Sequence, residues 1–170
     1  MIALAARLLC RRIALFAVLV AASASAGALE LRGFRGIAWG ADVQSLGAAQ
    51  QVSSSDGVQC FQRERENLLY GDAPIRQVRF CFREDRLFLV IVDAQVGRQA
   101  LAAEFAGSYG APDEESATRS MWGDRTTRAR AEIIGPASGA PASMRIYSGV
   151  YEPREKHAHS GGARSDVPHQ

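Results

Sequence analysis

The body of this chain has no histidine. His157, His159 and His169 are the only three, and all lie beyond Glu152. That absence excludes a Ser-His-Asp or Cys-His nucleophilic site in the body, and a histidine-based zinc site with it. The sequence also lacks G-x-S-x-G, G-x-G-x-x-G and the Gly-Lys pair of a phosphate-binding loop. Serine hydrolases of the nucleophile-elbow type, dinucleotide enzymes and P-loop nucleotidases are excluded accordingly. The "HAH" at 157–159 sits in a polar stretch that would not fix ligand geometry, so neither a metal nor a cofactor is expected. Lysine is nearly missing as well, since Lys156 is the only one.

What is present starts at the N-terminus. Arg7, Arg11 and Arg12 precede the apolar run "IALFAVLVAA" (13–22), and Ala24-Ser25-Ala26 supplies small residues for cleavage. This pattern predicts a secretory signal peptide over 1–26, with no transmembrane segment left after its removal. Export changes the charge. The whole chain carries 20 basic residues against 18 acidic, and losing three arginines leaves 17 against 18. The basic balance therefore belongs to the signal, and composition makes no case for a nucleic-acid partner.

Export also bears on the three cysteines. Cys10 leaves with the signal, and Cys60 and Cys81 remain. Two thiols in an oxidising compartment are expected to pair, and no C-x-x-C suggests redox chemistry. Closing a loop of about 20 residues stabilises by about 3 kcal/mol in the chain-entropy picture. The predicted location is the periplasm, with secretion to the medium as the other destination.

Asp42 as an N-cap and the spacing of Val43, Leu46 and Ala49 or Gln50 predict a short helix near 42–50, with "QVSSSDG" (51–57) read as a loop. "VQCFQRE", "NLLY", "IRQVRFCFR" and "RLFLVIVD" then read as an antiparallel meander. In "QVRFCFR" the alternation places Val78, Phe80 and Phe82 on one face, and Arg79, Cys81 and Arg83 on the other. In "LFLVIV", Leu87, Leu89 and Ile91 would share one face and Phe88, Val90 and Val92 the other; both are apolar, which predicts a central strand covered on both sides. Leu101, Phe105 and Tyr109 recur at helical spacing until Gly110 and Pro112 stop the helix. "ATRSMW" and "RTTRARAEII" read as a hairpin, and "MRIYSGVY" as a last strand. From 154 onward the sequence is polar and aperiodic, a predicted disordered tail. The expectation is one α+β domain over 27–153: an antiparallel sheet of about six or seven strands with two helices, mostly on one face. A faint helix–strands–helix–strands duplication runs through it, and "WG" recurs at 39–40 and 122–123.

Three groups of residues are functional candidates. Glu64 and Glu66 in "RERE" would lie about 7 Å apart on one face of an extended strand, the spacing of paired glycosidase carboxylates; two glutamates alternating with arginines also fit a solvated, charge-balanced face. Arg79 and Arg83 share a predicted sheet face, as do Arg128, Arg130 and Glu132, so arginines could line one side of the sheet and hold an anionic partner. Trp39 and Trp122, each before a glycine, are candidate aromatic contacts or core residues.

"FRGIAWGADVQSL", "FAGSYGAP" and "MWGDR" resemble a class of small exported bacterial proteins that open with F-x-G-x-x-W-G and later carry a helix ending in Y-G-x-P before a Trp-bearing strand. A more distant likeness is to the helix-plus-meander modules of outer-membrane assembly lipoproteins and of β-lactamase-inhibitor proteins, although this chain has no lipidated cysteine. The resemblance spans roughly residues 34–150 and implies an α+β fold and protein binding; it supplies no catalytic residue. The reading that results is an exported, non-enzymatic, disulfide-stapled protein that binds another envelope protein or an anionic envelope component. The alternatives are a cell-wall glycan hydrolase using Glu64 and Glu66, and a self-associating structural protein in which a second copy covers strand 87–92.

Overall fold

The computed structural model describes residues 31–124 and 126–149. The predicted signal peptide and polar tail, with all three histidines, lie outside the described residues.

A small hairpin of β1 (Gly33–Phe34) and β2 (Ile37–Ala38) leads into a single 3-10 turn, Val43–Leu46. A nine-stranded antiparallel sheet follows: β3 (Ala49–Ser55), β4 (Val58–Arg63), β5 (Leu69–Tyr70), β6 (Ala73–Arg83), β7 (Arg86–Gly97), then β8 (Glu114–Glu115), β9 (Arg119–Gly123), β10 (Arg130–Ile134) and β11 (Pro141–Tyr147). Helix α1, Arg98–Tyr109, separates β7 from β8. The strand order is β3-β4-β6-β7-β11-β10-β9-β8, with β5 appended to β6. It reads as two four-stranded meanders, each running inward from its own edge, that meet where β7 pairs β11. The 3-10 turn precedes the first meander and α1 the second. The duplication is thus one of topology. The repeated "WG" does not mark it, because Trp39 precedes the 3-10 turn whereas Trp122 lies inside β9.

The expectation of two helices and six or seven strands is corrected to one α-helix among the described residues and nine strands in the main sheet. Asp42 does cap: its carboxylate accepts from the Ser45 amide at 3.2 Å. However, Gly47, at φ 69°, ends the turn after four residues. Ala49 and Gln50 pair instead with Arg63 and Gln62. The stretch read as a loop is therefore edge strand β3. Asp56 and Gly57 both adopt positive φ (52° and 75°) and make the two-residue turn that joins β3 to β4.

One face of the sheet is closed. Val78, Phe80, Val90, Val92, Ile133, Met144 and Ile146 are fully buried on it. They pack beneath Leu101 and Phe105 of α1 at one end and Phe34 and Leu46 at the other. Rings bind this layer together: Phe105 lies 4.4 Å from Tyr109 and 4.7 Å from Trp122, centroid to centroid. A bulge decides what faces the other way. Cys81 pairs with Leu89 and Phe82 with Leu87, so Phe88 is the additional residue in β7. Leu87, Val90 and Val92 consequently join the closed face, while Phe88, Leu89 and Ile91 join the opposite one. The face assignment expected from strict alternation breaks at that bulge, which exchanges the faces of Leu87 and Phe88.

Candidate functional site

Among the described residues no helix or strand covers this second, open face. Its side chains form rows that run across the strands and are fixed by register. One row is Arg130–Tyr147–Leu89–Cys81–Cys60, and the next is Met121–Glu132–Arg145–Ile91–Arg79. Cys60 and Cys81 sit directly opposite each other on β4 and β6, with Cα atoms 4.0 Å apart, and are joined by a disulfide. The bridge, Phe88, Val58, Leu89 and Ile91 make a small apolar cluster. Phe88 is buried; Val58, Leu89 and Ile91 are only half-buried.

Arginines stand over and around that cluster. Arg83 lies across Phe88 at 5.5 Å from the ring centroid, and Arg130 across Tyr147 at 5.9 Å. Arg79 donates to Asp93 at 2.9 Å, and Arg119 donates to Glu132 at 2.8 Å. Glu132 also accepts from the Tyr147 hydroxyl at 3.2 Å. Residues 31–149 as a whole hold 14 arginines, no lysine and 14 carboxylates, a net charge of zero. The open face concentrates the positive share: Arg79, Arg83, Arg119, Arg130 and Arg145 against Asp93, Glu132 and, at the edge, Glu114. Burial tends to raise the Asp93 carboxyl, but hydrogen bonds from Gln77 and the charge of Arg79 outweigh it and hold the group below its ordinary value.

Sequence reasoning placed Arg79, Arg83 and Arg130 on one side of the sheet, and the structure brings them together. Arg128 is not among them. It occupies the turn before β10 with φ 58°, outside the strand. Arg119, Arg145, Tyr147 and Phe88 were missed. Alternation from Met144 and Ile146 would have found Arg145 and Tyr147; Phe88 needed the bulge. The tryptophans turn inward. Trp122 is buried and donates its indole N–H to Gly110 O at 2.9 Å; Trp39 donates to Leu31 O at 2.6 Å. Their polar handles are spent within the fold; Trp122 is buried, and Trp39 packs half-buried against the core.

The paired glutamates do not form a pair. β4 ends at Arg63, so Glu64 sits in an exposed turn while Glu66 folds back. The Glu66 side chain is only 2% exposed and accepts two bonds from Arg63, at 2.6 and 3.0 Å, and a third from Arg35. Arg35 also donates to the carbonyls of Asn67 and Leu69, tying the β1–β2 turn to the β4–β5 loop. Burial would raise the Glu66 carboxyl, yet the two guanidinium groups prevail and lower it. A general acid needs the opposite shift. Glu66 is a clasp.

No protein-family model, curated protein or solved structure matches the chain. No helix among the described residues is long and apolar enough to cross a membrane.

Proposed function

We propose that this is an exported, non-enzymatic protein that binds another envelope protein through the open face of its sheet. One observation carries the reading: a sheet whose two faces are both apolar at β7 has a hydrophobic cover on one face only. The uncovered face shows Leu89 and Ile91 at its centre and five arginines against three carboxylates around them. Apolar patches rimmed by charge are typical of protein interfaces, where arginine is enriched and lysine depleted. Self-association is less well supported, because a second copy laid face to face would oppose like charges. The glycan-hydrolase reading needs a raised carboxyl as its acid, and Glu66 is lowered instead. The disulfide and the signal-like N-terminus support export.

The test is site-specific photocrosslinking in the cell of origin. A benzophenone side chain at Leu89 should give a discrete heterologous adduct that disappears when Arg79 and Arg130 are reversed to Glu, while the same probe at exposed Gln99 of α1 gives none. Equal adducts at both positions, or indifference to the reversals, would remove the open face as a binding surface.

A further inference from the structure

The arginines of the open face are not equivalent. Arg79 is held by Asp93, and Arg119 by Glu132. Arg83 makes no ion pair or side-chain hydrogen bond among the described residues, and its Nε, like that of Arg79, is buried without a partner. A buried N–H left unmatched costs free energy, most of all on a charged group. Arg83 is kept in place by its stacking on Phe88 and by its strand position opposite Val58.

Arg83 also lines one side of a groove of about 470 Å³ on this face, with Arg119 and Arg130 on the other. Val58, Phe88, Leu89 and Tyr147 floor the space between them. Glu132 lies in the same groove, but Arg119 and the Tyr147 hydroxyl already engage it, so it does not compensate Arg83. Such a site fits a ligand with a carboxylate beside an apolar side chain. Guanidinium groups match carboxylates in planar, paired geometry. The groove is open and shallow, with Val58, Leu89 and Tyr147 half-exposed on its floor, which suits a loop reaching over from a folded partner. An acyl chain would need walls on more sides.

Resting on the binding function proposed above, we infer that the partner's docking element is an acidic loop that seats an aromatic or aliphatic side chain on Leu89 and Tyr147 and directs a carboxylate to Arg83.

The probe is a blocked peptide of alternating glutamate and phenylalanine with Gly-Ser ends, titrated into the full exported chain beside its glutamine counterpart. Amide shifts are followed by NMR. The acidic peptide should perturb the β6–β7 turn and the Tyr147–Leu89 row, and it should bind at least about tenfold more tightly than the glutamine peptide, as charge-assisted pairing requires. Arg83→Gln should remove about tenfold of that affinity with an unchanged denaturation midpoint, whereas Arg65→Gln, in the turn at the far end of β4, should remove none. Equal affinity for the two peptides, shifts confined to α1, or indifference to Arg83→Gln would overturn the inference. So would binding of phosphatidylglycerol vesicles in the absence of peptide binding, which would assign the arginines to lipid headgroups. A Leu89 adduct in cells together with a failed peptide titration would leave the protein-binding function standing and sink only the acidic loop.

Discussion

The two faces of one sheet solve different problems with the same strands. On the closed face, stability comes from burial: Phe80, Ile133 and Met144 exclude water completely beneath Leu101 and Phe105 of α1. On the open face, the apolar residues are few and half-exposed, and a covalent bridge with stacked arginine stems stands where a second helix would be. The contrast suggests that the closed face holds the fold together and the open face is kept available.

Truncating a closed-face ring should therefore have the largest effect. Phe105→Ala removes a ring that touches Tyr70, Tyr109 and Trp122 at once. A loss of about 3–5 kcal/mol is expected for a fully buried phenylalanine, read as a fall in the urea midpoint. A loss below about 1 kcal/mol would mean that α1 contributes little and that the two faces differ less than their burial implies.

Next in size is the bridge. Replacing Cys60 and Cys81 together by alanine should cost about 3 kcal/mol, because the crosslink restricts a 21-residue separation in the unfolded chain. The open face itself has little burial to compensate. If the double variant matched the parent in chemical denaturation, the apolar cluster alone would be holding that face.

The carboxylates provide the third test. Glu66→Gln deprives Arg35 and Arg63 of their shared partner; both arginines are partly exposed and can rehydrate, so a loss of about 1–2 kcal/mol is expected. The folded-state pKa of Glu66 lies below its unfolded value, as does that of Asp93. Their contributions are therefore complete above the unfolded values of about 4.3 and 3.9 and disappear as pH falls through the folded ones. Denaturation midpoints should be flat near neutral pH and drop below about pH 4, with a smaller acid drop in Glu66→Gln. A parent midpoint that rose on acidification would reverse the sign and remove the clasp.

What the sequence made legible follows the same division. Positions with a strong local signal were readable: the alternation of Val78, Phe80 and Phe82, the helix through Leu101 and Phe105, and the pairing of Cys60 with Cys81. The misses have local causes. Strand β3 is polar on both faces because it lies at the sheet edge, so it offered no hydrophobic period; only the Asp56-Gly57 turn marked it. The short helix lost to Gly47 and to pairing with β4. The bulge at Phe88 is invisible to a period-two reading, and it turns Phe88 and Leu89 together towards the candidate site. The arginine face was legible by type. Which arginine lacks a partner was not, because that depends on Asp93 and Glu132 arriving from other strands.

The smallest expected effect discriminates most sharply. Ile91 sits in the centre of the open face, half-buried between Arg79 on β6 and Arg145 on β11. Ile91→Thr keeps a β-branched residue on the strand, so the backbone preference is preserved and only apolar surface is exchanged. Were the open face part of the core, the change would cost well over 1 kcal/mol, as a buried methyl replaced by an unmatched hydroxyl does. For a surface held ready for a partner, stability should move by less than about 0.5 kcal/mol, while the Leu89 crosslink weakens markedly. The same substitution at Val92, one residue along and fully buried on the closed face, should do the reverse: a loss of stability above about 1 kcal/mol with binding retained in the molecules that remain folded. Equal stability losses at positions 91 and 92 would mean that the open face is covered in solution, and the distinction between a face that folds and a face that binds would fall with it.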